Sequence, residues 1–92
     1  MTAHQHPHAL RFRLLVDLCY ALGEQGCASM LFNPLRGETA LYVPYPDRPR
    51  QRLGVGAIED RGRWMFTYGR EWSLADNADE TAARIVAAVR TR

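Results

Sequence analysis

The sequence predicts an α+β domain of order α-β-β-β-β-α, with an antiparallel sheet of two hairpins packed against N- and C-terminal helices. Three observations carry that expectation. Residues His8–Leu22 repeat apolar side chains at helical spacing and run into Gly23. The stretch Arg52–Tyr68 alternates in two runs about Asp60-Arg61-Gly62, the pattern of a hairpin. Asn77 precedes Glu80 by three residues at the head of an Ala-rich stretch, the signature of a capped helix.

The 92 residues form one domain, expected to span 8–92 behind a disordered tail at 1–7. With 47% hydrophobic and 24% charged residues, the composition is that of a globular chain. All twelve cationic residues are arginine, the mark of a G+C-rich genome and hence of a bacterial source. A net charge of +2, with acidic residues interspersed, does not announce nucleic-acid binding. No leader-like or membrane-spanning apolar run is present, so a cytoplasmic protein is expected, with no membrane partner.

Within the tail, Thr2-Ala3-His4 has the pattern that chelates Cu(II) or Ni(II) after removal of Met1, but the simpler reading is an incidental polar tail. In helix one, Arg13, Asp17, Tyr20 and Glu24 make a single polar stripe, and apolar residues fill most of the remaining circumference. So wide an apolar arc points to burial on two sides. Cys19 and Cys27 bracket the helix end. They are too few for a zinc site and are read as core thiols rather than a disulfide.

Cys27–Phe32 and Thr39–Tyr45 read as a first hairpin around Asn33-Pro34-Leu35-Arg36-Gly37. Pairing Phe32 with Thr39 puts Met30, Phe32, Leu41 and Val43 on one face and Tyr42 on the other. Pro44–Arg50, with three prolines, reads as an exposed connection that cannot continue a central ladder. In the second hairpin a three-residue loop closed by Gly62 pairs Glu59 with Arg63. Ile58, Gly56 and Gly54 then lie opposite Trp64, Phe66 and Tyr68, and Leu53, Val55 and Ala57 share the other face with Met65 and Thr67. Gly69–Leu74 reads as a turn whose Trp72 plugs the core edge, or else anchors a partner. The last helix should present Ala78, Ala82, Ile85 and Val89 to the core, with Glu80 and Arg84 paired outside.

Catalysis is not expected. The histidines all lie within the first eight residues, so no base is available to a Ser or Cys nucleophile. The carboxylates of Glu59 and Asp60 suit a turn, and those of Asp76, Asp79 and Glu80 suit a helix start. Gly54-Val55-Gly56 resembles half a phosphate loop, but it sits inside a strand. No catalytic residue, cofactor or metal site is therefore assigned.

Two functional expectations remain. Both faces of the second hairpin are substantially apolar, which requires cover from the same chain or from a partner, most simply a second copy. On the partner reading the chain is a small, non-catalytic protein–protein interaction module of adaptor or chaperone kind and homodimeric. Its contact residues would be Leu15, Leu53, Val55, Met65 and Trp72. The alternative is a weak nucleic-acid-binding domain, its edge formed by Arg50, Arg52, Tyr68 and Arg70. In the order helix, strands, helix the chain is similar at the level of layout to double-stranded-RNA-binding domains, frataxin-like proteins and bacterial secretion chaperones. Asn77-Ala78-Asp79-Glu80 is acidic where the first group is basic, and helix one lacks the acidic ridge of the second. The chaperone layout, which implies dimerisation and partner binding, suits the excess apolar surface best.

Overall fold

The computed structural model describes residues 7–91, with backbone alone at residue 49. Its order is α1 (Pro7–Glu24), β1 (Met30–Phe32), β2 (Ala40–Tyr45), β3 (Arg48–Asp60), β4 (Arg63–Tyr68), β5 (Glu71–Leu74) and α2 (Ala78–Arg90). The strands form one antiparallel sheet in the order β1-β2-β3-β4-β5, a simple meander. The α+β class stands as expected. The sheet has five strands rather than four, because Glu71–Leu74 pairs with β4 instead of forming a loose turn.

Helix α1 opens on Pro7, where the missing N–H costs nothing. It passes through Gly23 and ends at the next residue, Glu24. Cys27 N–H donates to Leu22 O at 2.9 Å and Gly26 N–H to Gly23 O at 3.0 Å, with Gly26 at φ 73°. That pair of bonds is a Schellman motif, and Gly26 rather than Gly23 supplies its left-handed residue. At the other end of the chain, the Asn77 side chain accepts a hydrogen bond from Glu80 N–H at 3.0 Å, as the capping box predicts. Asp79 and Glu80 occupy the positive first turn of α2, and Glu80 pairs with Arg84 at 3.5 Å.

Both helices lie on one face of the sheet. Leu15, Leu18 and Leu22 of α1 and Ala82, Ile85 and Val89 of α2 join Leu41, Val43, Val55, Ala57, Phe66 and Tyr68 in a single core. Arg11 fastens the start of α1 to β3. Its Nε donates to Ala57 O at 2.9 Å, and its guanidinium lies 5.5 Å from the Trp64 ring centroid.

Three hairpin expectations are corrected. Strand β3 joins β4 through a two-residue turn in which Arg61 (φ 56°) and Gly62 (φ 81°) are both left-handed, and Asp60 rather than Glu59 pairs with Arg63. This one-residue slip sets Phe66 beside Ala57 and Tyr68 beside Val55 on the core face. Holding Arg61 left-handed costs about 1–2 kcal/mol, whereas burying one large apolar side chain contributes about 1.5–3 kcal/mol. Phe66 and Tyr68 together outweigh the turn. The β1–β2 register slips in the same way: Phe32 pairs with Ala40 and Met30 with Tyr42, while Leu41 and Val43 turn to the core. Thr39 is held out of the ladder by its Oγ1, which donates to Asn33 Oδ1 at 2.6 Å. Lastly, Pro44–Arg50 is no free connection. Pro44 pairs with Arg52 and Tyr45 with Arg48 around a Pro46-Asp47 turn, and a register shift between Pro44 and Tyr45 absorbs the extra residues of β3.

Candidate functional site

With both helices on one face, no element of the described residues covers the other face of the sheet. Strand alternation assigns its side chains. Met30 and Phe32 come from β1, Ala40 and Tyr42 from β2, and Gly54, Gly56 and Ile58 from β3. Met65 and Thr67 come from β4, and Trp72 and Leu74 from β5. Four of these are large, apolar and open to solvent: Met30 and Phe32 at 55%, Trp72 at 51% and Leu74 at 37% exposure. An ordinary half-wet sheet would put polar residues there. Here the charged groups stand at the margins, with Arg52 at one end of β3 and Asp60 at the other.

Relief across the face follows side-chain size. The bulky residues stand on β1 and β5, and the central strand carries two glycines. Tyr42 lies across Gly54, where an added Cβ would approach its ring to 3.8 Å. Arg52 in turn stacks on Tyr42, 5.1 Å from the ring centroid. Beside Gly56, an added Cβ would come within 3.1 Å of Thr67 Oγ1, so the position is close to full from within the chain.

The residues singled out from sequence are distributed as follows. Trp72 and Met65 lie on this outer face, and Trp72 is no core plug. Leu15 and Val55 are corrected: both belong to the chain's own core, at 0% and 1% exposure. Leu53 is half-buried against that core. The slipped hairpin register is the cause for Val55, and for Leu15 it is the packing of α1 between α2 and the sheet. Met30, Phe32, Tyr42, Ile58 and Leu74 were missed. The Phe32–Ala40 pairing would have found the first three, and a two-residue Arg61-Gly62 turn the fourth. Recognising Glu71–Leu74 as a strand, not a turn, would have found Leu74.

The arginine edge is brought together only in part. Arg48, Arg50 and Arg52 follow one another on the exposed start of β3, and Arg48 stacks on Tyr45 at 5.3 Å. Arg70 lies in the β4–β5 turn, where it lines a recess with Tyr45, Leu53 and Glu71. Tyr68 cannot stack on a base. It is buried, and its hydroxyl shares a hydrogen bond with Ser73 Oγ at 2.6 Å.

The remaining chemistry is sparse. Cys19 and Cys27 are free thiols; Cys19 Sγ lies 3.1 Å from Ser29 Oγ. Burial pushes the Cys27 thiol up from its ordinary value, and Arg90 opposes that rise only in part. A cavity of about 260 Å³ opens between α1 and the β4–β5 end, lined by Leu10, Leu14, Trp64 and Leu74 with Arg63 and Asp76 at its mouth. Among the described residues, no three His, Cys, Asp or Glu side chains are placed to hold a metal ion. No helix of the described residues is long and apolar enough to cross a membrane. The Thr2-Ala3-His4 chelate lies outside the described residues. No protein-family model, curated protein or solved structure gives a significant match to the chain.

Proposed function

We propose that this protein is a small, non-catalytic protein–protein interaction module, of adaptor or chaperone kind, which docks proteins on the outer face of its sheet. The observation that carries this reading is that Met30 and Phe32 on one edge strand and Trp72 and Leu74 on the other stand exposed on a sheet face that neither helix covers. Aromatic and Met side chains are the types that concentrate at the buried centres of interfaces. A contiguous apolar face of this kind is costly in water and becomes favourable when a partner covers it.

The nucleic-acid reading keeps one supporting observation, the succession Arg48, Arg50 and Arg52 on β3. It loses Tyr68, and two of these guanidiniums already stack on tyrosines.

One recovery experiment separates the two. The tagged chain and its Phe32→Ser/Trp72→Ser variant are each recovered from the native host, with and without nuclease. The expected result is a protein companion, a second copy included, that survives nuclease and is lost with the variant. Companions that leave on nuclease treatment would move the function to the β3 arginines. Companions held equally by the variant would overturn the outer face as the docking surface.

A further inference from the structure

Building on the docking reading, we propose that the occupant of the outer face is a second copy of this chain, laid face to face with its β3 antiparallel to the first. The pattern of β3 carries this. Val55 and Ala57 point into the core, so Arg52, Gly54, Gly56, Ile58 and Asp60 point outward. Turned end for end about Gly56, this series is complementary to itself. Arg52 meets Asp60 of the partner, and Gly54 meets the partner's bulkier Ile58. Strand β4 places Thr67, which pairs with Gly56, at the same level.

A two-fold axis can lie in the plane of such a contact in two ways. If it runs along the strands, Arg52 faces Arg52 and Asp60 faces Asp60. If it runs across them, each Arg52 faces an Asp60. Among the described residues neither Arg52, which stacks on Tyr42, nor Asp60 takes part in an ion pair, and both charges are exposed. The crosswise axis also stacks Trp72 on its own copy, because Trp72 is level with Thr67 and Gly56. Only β3 spans the about 27 Å from Arg52 to Asp60; with its shorter neighbours, strands about 4.8 Å apart give about 450 Å² of flat area. Side-chain relief raises that towards the about 800 Å² per partner of a standard interface.

Sedimentation equilibrium on the full chain tests the arrangement with Arg52→Asp, Asp60→Arg, the double swap and Gly54→Val. The wild type is expected to dimerise, and each charge reversal, made twice in a two-fold dimer, to raise Kd by about tenfold or more. The double swap restores the opposite pairing and should return Kd to within about threefold of wild type. Gly54→Val has only an ordinary contact within its own chain, so it should stay folded by circular dichroism while dissociating the dimer. A dimer indifferent to both reversals, or one the double swap fails to rescue, overturns the antiparallel arrangement. A wild type still monomeric at about 100 μM overturns the second copy as occupant. In that case the docking reading is decided separately by whether Phe32→Ser/Trp72→Ser loses some other protein companion.

Discussion

Val55→Arg and Met65→Arg separate the observed sheet from the one-residue alternative. In the alternative register these two residues share a face; in the structure they are on opposite faces. Val55 sits between Leu41 and Tyr68 in the sheet, under the helices, at 1% exposure. Replacing it with Arg forfeits about 2 kcal/mol of apolar burial and places an unpaired cation where desolvation costs several kcal/mol more. A domain of this length has about 5–14 kcal/mol of stability in all. Val55→Arg should therefore be largely unfolded. Met65 lies half-buried on the outer face between Ile58 and Leu74, where an arginine can run its stem along the apolar surface and keep its charge in water. Met65→Arg should cost about 1 kcal/mol or less and retain the fold, while weakening association. Urea unfolding followed by far-UV circular dichroism reads the first effect, and sedimentation reads the second. If the two variants behave alike, both folded or both unfolded, the faces are wrongly assigned and the docking surface falls with them.

Three further outcomes follow from the local geometry. Asn77→Ala removes the cap of α2 and should cost about 1 kcal/mol, lowering Tm by about 4–8 °C in a scanning calorimeter. Arg61→Asn exchanges a residue strained at φ 56° for one that tolerates it, ahead of Gly62, and should raise stability by about 0.5–1 kcal/mol in urea titrations; an unchanged midpoint would remove strain from the account of that turn. For Cys27, whose thiol is pushed above its ordinary 9.0 by burial, the folded chain keeps a proton that the unfolded chain releases. Stability should thus fall as pH rises above about 9, and Cys27→Ala should flatten that slope in unfolding curves taken across pH 8–10.

The helices were legible in the sequence because their signals are local. Asn77 and Glu80 lie three residues apart and cap within one turn, and the stripe through Ala82, Ile85 and Val89 repeats within α2 itself. The end of α1 was misplaced because Gly23 and Gly26 are both fit to stop a helix. The choice fell to Gly26 through the bonds that Cys27 and Gly26 make back to Leu22 and Gly23. Strand registers are different in kind. Shifting a pairing by one residue exchanges every face at once, and the choice between registers is made by burial elsewhere in the chain. Gly62 alone fits a three-residue loop. Accepting a left-handed Arg61 makes sense only once Phe66, Tyr68, Val55 and Ala57 are counted together under two helices.

The candidate site was half legible for the same reason. An excess of apolar residues can be read from composition and alternation, so a sheet with two apolar faces was foreseeable. Which face remains open depends on where the helices sit. In α1 the buried Leu15, Leu18 and Leu22 face the sheet and α2, while α2 offers small residues such as Ala82 for close approach. Two helices of 18 and 13 residues suffice to cover one side of five strands, and both pack there. Nothing among the described residues remains to cover the other side, so the apolar surplus of β1 and β5 is exposed there. Gly54 of β3 then takes on a use that a monomer does not supply. In a solvent-facing strand it sacrifices β propensity, whereas under a second sheet it leaves room for a facing side chain. Arg52 and Asp60 close the two ends of that strand with opposite charges, which is the arrangement a copy turned end for end would match.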